Sequence, residues 1–336
     1  MPRVTCLYKL TGTETFRLAS SKLFGYGTNM QNWSKELRKL VTADDGKVLC
    51  QVDQAGAEAL VVAYLCKHGN FRELFLSGVK SHVFVALRVF EQTWRSKLAK
   101  QASSGDIDFE SIFAATPGKV RDCKGWKIVD ALIKDSDNWQ PSERYYYIAK
   151  MICHAANYGM KAPAFQLNVL QKSEGKIALT KQEAEDYLET YHDLFPEIRE
   201  WHRWTEDKLQ ATRVLRNLQG YPRIFVTAWN DTILKEALAF TPQSTVGTIT
   251  NIAYTRLQEY IEANKLQWDL LNNCHDSYLA QVPIAEGQEA AKVMTAFMEQ
   301  ELVSPRNEKF KMKAAASLGH NWGSYGKKNV EGMKEI

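Results

Sequence analysis

No C-x-x-C pair occurs among the six cysteines, Cys6, Cys50, Cys66, Cys123, Cys153 and Cys274. Their scatter argues against a zinc site or a disulfide framework and for a reducing, cytoplasmic setting. Long apolar runs are lacking too: none approaches the roughly 20 residues that span a bilayer, so no membrane partner is expected. The start, MPRVTCLYKL, has neither the apolar stretch nor the small-residue cleavage site of a signal peptide. Internal repeats and low-complexity tracts are absent, and so is a strong charge of either sign. With 43 basic against 39 acidic residues the formal net charge is +4, which permits a nucleic-acid partner without requiring one. The basic stretches RSKLAK (95–100) and GKVRDCKGWK (118–127), and the polar end GSYGKKNVEGMKEI, read as solvated faces.

What is present is the composition of a folded protein. The 336 residues are 45% hydrophobic and 24% charged, enough for a sizeable core in one large or two medium domains. KVLCQVD (47–53) is predicted as a strand ending in an acid, and Ala57 through Cys66 as a helix. SHVFVALRVFEQTWRSKLA (81–99) reads as one amphipathic helix, followed by a looser stretch over about 103–127. PSERYYYIAKMICHAANYG (141–159) is a helix with a Pro-Ser-Glu start and a stop at Gly159. A helical pair divided at Pro196 follows, then a helix over TPQSTVGTITNIAYTRLQEYIEAN (241–264), then a hairpin with His275 and Asp276 at its tip, then a helix from about Ala290 to Leu302.

Acids at strand ends and in tight turns are poorly placed for packing and well placed to hold a metal. Asp53 closes one strand and Asp276 sits in the hairpin turn, and strand ends are where side chains reach the crevice above a sheet. Two aspartates on neighbouring strands could hold two divalent ions roughly 3.5–4 Å apart and serve phosphoryl transfer. Magnesium suits such a site, since it takes one or two carboxylates and completes its shell with water and phosphate oxygens. Either acid alone is an ordinary strand end or turn residue. A third element is Lys150, His154 and Tyr158, spaced by four. At about 100° per residue each step turns only about 40°, so the three share one helix face. A lysine there could meet a triphosphate and a tyrosine could stack on a base; the bland alternative is an amphipathic helix with a snorkelling lysine.

Taken in order, strand-Asp53 with Glu58 five residues on, Lys150-x7-Tyr158-Gly159, and His275-Asp276 in a hairpin resemble motifs A, B and C of family A DNA polymerases. Flanking segments are similar as well. GTETFRLASSKLFGYGTNMQNW resembles the Thr-Gly-Arg-Leu…Asn-Leu-Gln-Asn segment ahead of motif A, TPQSTVGTITNIAY the helix before motif C, and LGHNWGSY the Gly-x-Asn-Trp close. The resemblance runs from about Thr11 to Tyr325 and is nearest in flavour to phage-encoded members, which would place the protein in the host cytoplasm.

The resemblance implies an α+β right-hand fold: a palm with an antiparallel sheet (1–62 and 238–336) and mainly helical fingers (63–237), whose motif B helix spans about 142–158. It implies template-directed addition of dNMP to a primer by a DNA-directed DNA polymerase. Asp53 and Asp276 would bind two Mg2+ ions, with Mn2+ as a substitute and the Gln54 carbonyl as a further ligand. Lys150 would meet the triphosphate and supply a proton to the leaving pyrophosphate. His154 would face the sugar, Tyr158 would stack near the templating position, and Glu58 would pair with Tyr158 as a steric gate against the 2′-hydroxyl. Arg17, Asn29, Gln31, Asn32, Gln243 and His275 would line the primer–template duplex, where minor-groove contacts test pair geometry more than sequence.

Several positions depart from the family pattern. Ser277 stands for the usual Glu, Leu60 and Tyr146 for arginines of motifs A and B, Phe16 for a Gly, and His154 for Phe or Tyr. Arg144 is near Tyr146 but about 120° around an ideal helix from Lys150. Phosphate contacts would then come from Lys80, His82, Lys235 or another chain. The resemblance leaves no room for a thumb, so a separate polypeptide is expected to supply thumb and 3′→5′ exonuclease. An RNA polymerase or primase-like enzyme and a catalytically degenerate primer–template-binding module are the competing readings.

Overall fold

A computed structural model describes residues 3–10, 12–22, 25–101 and 106–336. Thr11, Leu23 and Phe24 of the N-terminal resemblance, and residues 103–105 of the looser stretch, lie outside the described residues. In chain order, β1 (Leu7–Lys9) and β2 (Ala19–Ser21) form a short antiparallel ribbon, then come α1 (Lys35–Arg38), β3 (Lys47–Gln54) and α2 (Ala57–Leu65). Helices α3 (Asn70–Leu76), α4 (Ser81–Val89), α5 (Glu91–Gln101), α6 (Phe109–Ala114) and α7 (Trp126–Asp135) follow, then α8 (Tyr145–Asn157), α9 (Ala162–Lys172), α10 (Lys181–Leu194) and α11 (Pro196–Thr212). A hairpin of β4 (Val214–Arg216) and β5 (Pro222–Ile224) precedes the long helix α12 (Asp231–Asn264). The chain ends with β6 (Asp269–Cys274), β7 (Ser277–Pro283), α13 (Gly287–Met298), the hairpin β8 (Glu301–Val303) and β9 (Lys309–Lys311), β10 (Ala314–Gly319) and β11 (Lys334–Glu335). The fold is α+β, as the sequence implied.

Contacts divide the chain into two units. The first holds residues up to Val61, Val214–Ile224 and Phe240–Ile336; the second holds Val62–Arg213 and Phe225–Ala239. The β4–β5 hairpin, placed with the fingers in the sequence reading, groups with the first unit because Asn217 bonds Thr248 and the Tyr221 ring packs on Phe16.

The core of the first unit is a five-stranded antiparallel sheet in the order β11-β10-β3-β7-β6. The central strand β3 buries Leu49 on one face and Cys50 and Val52 on the other, because both faces are covered. On one side α12 and α13 pack: the Gln54 amide reaches Thr250 Oγ1 at 2.7 Å, and Tyr278 donates to the Met294 carbonyl at 2.6 Å. On the other, Leu49, Leu279 and Cys274 meet Met30, Ala43 and Trp322. The polar C-terminus is largely exposed, as expected, but is not a free tail. It returns as β11 on the free edge of β10, and Met333 packs against that second cluster.

The second unit is helical. Its aromatic centre joins Phe71 to Phe195 at 5.0 Å and Tyr191 to Phe195 at 5.1 Å, with α4, α8 and α10 packed together around it. The single helix expected over 81–99 is two helices, α4 and α5. Phe90 breaks the spiral at φ −109°, ψ 32°, which lets its ring lie on Tyr145 at 4.8 Å and Tyr187 at 5.2 Å. The looser stretch contains α6, capped by Asp108, whose carboxylate accepts from Ser111 N at 3.1 Å. Pro196 opens α11, as expected. Pro242 does not open a helix: α12 begins at Asp231 and runs through it, giving up one main-chain hydrogen bond.

Burial lowers the imidazoles of His82, His192 and His202 from 6.5 to about 4, so all three are neutral in the folded chain. Between pH 6.5 and 4 the unfolded chain therefore binds more protons at these sites, and stability rises with pH through that window. Acidification from pH 7 to 5 is expected to cost several kcal/mol, read from urea midpoints. A His192→Gln variant should show a shallower slope, and an unchanged slope would remove His192 from the account.

Candidate active site

The antiparallel register of the first unit brings the two aspartates together. Asp53 pairs with Ser277 across β3 and β7, and Ser277 pairs with Cys274 across β7 and β6, so His275 and Asp276 form a two-residue turn beside the end of β3. His275 takes a left-handed φ of 65°, which such a turn demands, and the Asp276 carbonyl accepts the Gln54 N–H at 3.0 Å. Both residues are exposed at the rim, yet the protein packed behind them still desolvates their carboxyls. Burial, then the Asp276 charge, raises the Asp53 carboxyl to about 7. Burial likewise raises the Asp276 carboxyl, opposed by the Arg17 and Arg38 charges. Two acids held above their ordinary range beside each other favour a bound cation.

Asp53 also lines a cavity of about 200 Å³ with Lys35, Arg38, Gln51, Ser317 and Trp322. The Arg38 guanidinium lies over the Trp322 ring at 4.5 Å, and Trp322 Nε1 donates to Gln51 at 2.8 Å. Among the described residues no group of three or more His, Cys, Asp and Glu side chains converges to hold a metal. The donors on this rim are thus two carboxylates, hard oxygen ligands of the kind that magnesium takes. The Gln54 side chain is turned away, spent on Thr250 and the Val246 carbonyl.

Around this pair the other expected residues divide. Arg17 forms an ion pair with Glu58. Burial, then the Arg17 charge, lowers the His275 imidazole, whose Nδ1 is buried without a hydrogen-bond partner. Asn32 is exposed and Gln243 half-buried. Asn29 Oδ1 accepts from Ser20 Oγ. Gln31 is 7% exposed and its amide is consumed internally: Nε2 donates to the carbonyls of Leu18 and Asn273 at 2.9 and 2.8 Å, and Oε1 accepts from Ser20 N at 2.8 Å. It braces the site from beneath.

Asn251, Asn273 and Tyr8 escaped the sequence reading. Asn251 donates to the Phe16 carbonyl at 2.8 Å and accepts from Asn273 at 3.3 Å, while Tyr8 Oη accepts from Asn273 N at 2.8 Å. The only local signal was Asn251 itself, a poor helix former in the middle of α12. Gly247 permits this junction: a Cβ there would stand 3.0 Å from Arg17 Cγ.

Phe16, which replaces the family's Gly, has φ 57°. That region costs a side-chain-bearing residue about 1–2 kcal/mol, offset here by ring contacts to Tyr221 at 5.7 Å and Phe240 at 6.1 Å. Both Phe16→Ala and Phe16→Gly are expected to destabilise, but Gly should be the milder by about 1 kcal/mol because it alone relieves the backbone. Urea unfolding compares them; Ala equal to or milder than Gly would refute the strain.

In the second unit α8 carries Lys150 and His154, while Tyr158 is its C-terminal cap. Lys150 Nζ lies over Tyr146 at 4.2 Å, and the exposed His154 meets the buried Tyr158 edge to face at 5.0 Å. Lys150 also pairs with Asp137 at 3.0 Å. Arg144 does not sit 120° around a helix from Lys150, because α8 starts only at Tyr145 and Arg144 has the non-helical ψ of 59°. Its guanidinium therefore swings onto the same carboxylate, with Nη2 3.5 Å from Asp137 Oδ1. Of the expected phosphate ligands, His82 is neutral and edge-on to Tyr146 at 6.0 Å, and Lys80 is exposed.

Residues 129–324 match the model of DNA polymerase family A. The chain belongs to that family. DNA polymerase I of Treponema pallidum is 22% identical over 96% of this chain, and the thermostable DNA polymerase I of Thermus filiformis is 22% identical over 88%. This family A chain spans 28% and 30% of the lengths of those two relatives. Among solved structures, the polymerase domain of Pol1 from M. smegmatis, in complex with primer–template DNA and dNTP, is similar with a TM-score of 0.68. It is 18% identical, and the match covers 96% of this chain and 48% of that one. These similarities give no support to the expected separate thumb and exonuclease polypeptide. No helix among the described residues is long and apolar enough to cross a membrane.

Proposed function

We propose that this family A chain carries out template-directed DNA synthesis, adding dNMP from dNTPs to a primer 3′-hydroxyl. The observation that carries the proposal is the register that sets Asp276 beside Asp53, two carboxyls raised above their ordinary range at the rim of one sheet. In this reading the first unit is the palm and the second the fingers.

Asp53 and Asp276, with the Gln54 main-chain carbonyl, would hold two magnesium ions, or manganese in their place. When bound, the ions supply activation of the 3′-hydroxyl and charge stabilisation of the departing pyrophosphate. Lys150 gives up Asp137 for the triphosphate and is positioned to protonate the leaving group, with Arg144 beside it to replace the missing motif B arginine. Glu58, held by Arg17, bars the ribose 2′-hydroxyl. The exposed His154 ring offers itself to the nascent pair, and Tyr158, buried edge-on behind it, would turn outward to stack there. Arg17, His275, Asn29, Asn32 and Gln243 face the duplex, with Gln31 fixing the backbone that presents them.

The test is primer extension by the purified chain with Mg2+, using dNTPs in one reaction and rNTPs in another. Template-dependent extension with dNTPs and weak use of rNTPs supports the reading. Preference for rNTPs would turn it toward RNA synthesis, and a folded chain that binds primer–template but extends with neither would sink it.

A further inference from the structure

We infer that Tyr191 and His202 are positioning residues for Tyr158, acting through a clamp on Asn157. The inference rests on the reading of Tyr158 as a nucleotide-stacking residue.

A helix ends with carbonyls that have no partner within the helix. Where α8 ends, two of these are closed locally. Gly159, at φ 66°, donates its N–H to the Ala156 carbonyl at 3.3 Å, and Met160 donates to that of Ala155 at 2.9 Å, the pairing of a Schellman motif. The next carbonyl, that of Asn157, is met by His202 Nε2 at 2.8 Å. A carbonyl only accepts, so Nε2 must carry the proton. Burial lowers this imidazole to about 4, so the ring is neutral and Nε2–H is its one donor. Asn157 is 5% exposed, and its side-chain Oδ1 accepts from the fully buried Tyr191 hydroxyl at 2.7 Å.

Tyr191 and His202 therefore each give their single donor to one residue, from α10 and α11 respectively. A packing role alone would be filled as well by an apolar residue with better helix propensity than Asn. The two donors are themselves held by packing: Tyr191 on Phe195 at 5.1 Å, His202 on Trp201 at 5.3 Å. Fixed at both main chain and side chain, Asn157 anchors the helix end from which Tyr158 projects, edge-on to His154. Loosening either bond should free Tyr158 while leaving the acids of the first unit untouched.

The experiment uses the full chain and the variants Tyr191→Phe, His202→Ala and His202→Gln. Affinity for the next correct dNTP is read on a dideoxy-terminated primer–template, and kcat and KM on an extendable one. Tyr191→Phe keeps the ring and loses only the hydroxyl, so it guards against simple misfolding. Tyr191→Phe and His202→Ala are expected to weaken dNTP binding and raise KM about tenfold, with kcat and primer–template affinity within about threefold of wild type. His202→Gln, whose amide N–H can reach the same carbonyl, should recover most of the loss. Unchanged dNTP affinity in folded Tyr191→Phe and His202→Ala would overturn the clamp alone. So would a fall in kcat and melting temperature with no KM effect and no recovery by Gln. A wild-type chain that binds no template-matched dNTP would sink the stacking role of Tyr158 and the clamp with it.

Discussion

Replacing Asp276 by Asn should lower primer extension at least about a thousandfold while leaving primer–template affinity within about threefold. The substitution is close to isosteric, and the bonds that shape the turn are main-chain: Asp276 N to the Cys274 carbonyl, and Gln54 N to the Asp276 carbonyl. What is lost is an anionic oxygen, and with it several kcal/mol of transition-state charge stabilisation, each 1.36 kcal/mol being about a factor of ten in rate. Duplex affinity rests chiefly on contacts to many phosphates, to which one carboxylate adds nothing. Stability should hold or rise slightly, because burial already disfavours the Asp276 charge. The Asp53 carboxyl should fall back toward its ordinary range, since the Asp276 charge contributes to its elevation. Primer extension, equilibrium DNA binding and thermal melting measure the three effects. Extension surviving in Asp276→Asn would remove the acid pair from the mechanism.

The second large effect belongs to Lys150. Lys150→Ala is expected to reduce kcat/KM for dNTP by about a hundred- to a thousandfold, the usual cost of removing one preorganised charge donor. Little stability should go with it, because the Lys150–Asp137 pair is a third or so exposed on each side and such pairs contribute roughly 0–1 kcal/mol. Asp137→Asn should act in the opposite direction. The Asp137 carboxylate holds Lys150 at 3.0 Å, whereas Arg144 stays tied to the Asp137 main-chain carbonyl at 2.8 Å, so neutralising the carboxylate frees Lys150, and dNTP affinity should improve by up to about tenfold. Single-nucleotide insertion kinetics on both variants test the pair. Weaker dNTP binding in Asp137→Asn would mean that the carboxylate orients Lys150, and does not merely hold it until the triphosphate arrives.

Elements with a strong local signal were legible from the sequence. The β-forming run of Lys47–Gln54, the hairpin turn at His275–Asp276 and the helix break at Pro196 all stand where composition and turn chemistry put them. The break between α4 and α5 was invisible because nothing in VFVALRVF interrupts a helix; Phe90 leaves the spiral to reach Tyr145 and Tyr187, more than fifty residues on. Pro242 misled for the converse reason, since tertiary packing carries α12 through a residue that local rules would put at its start. The C-terminal segment looked polar and became a strand because the edge of β10 offered it main-chain partners.

For the site, the sequence by itself determined the chemistry on offer: two aspartates at a strand end and a turn, a lysine and two aromatic rings four residues apart, and the order that marks family A. Only the tertiary structure decided what those groups meet. It set Asp276 beside Asp53, gave Glu58 to Arg17, turned Gln31 inward, brought Arg144 onto the carboxylate that holds Lys150, and pinned Asn157 from two other helices. The division has one physical cause. Helix and turn patterns are written in neighbours a few residues apart, whereas the electrostatic and hydrogen-bond partners of a side chain are fixed by strand register and helix packing across tens or hundreds of residues.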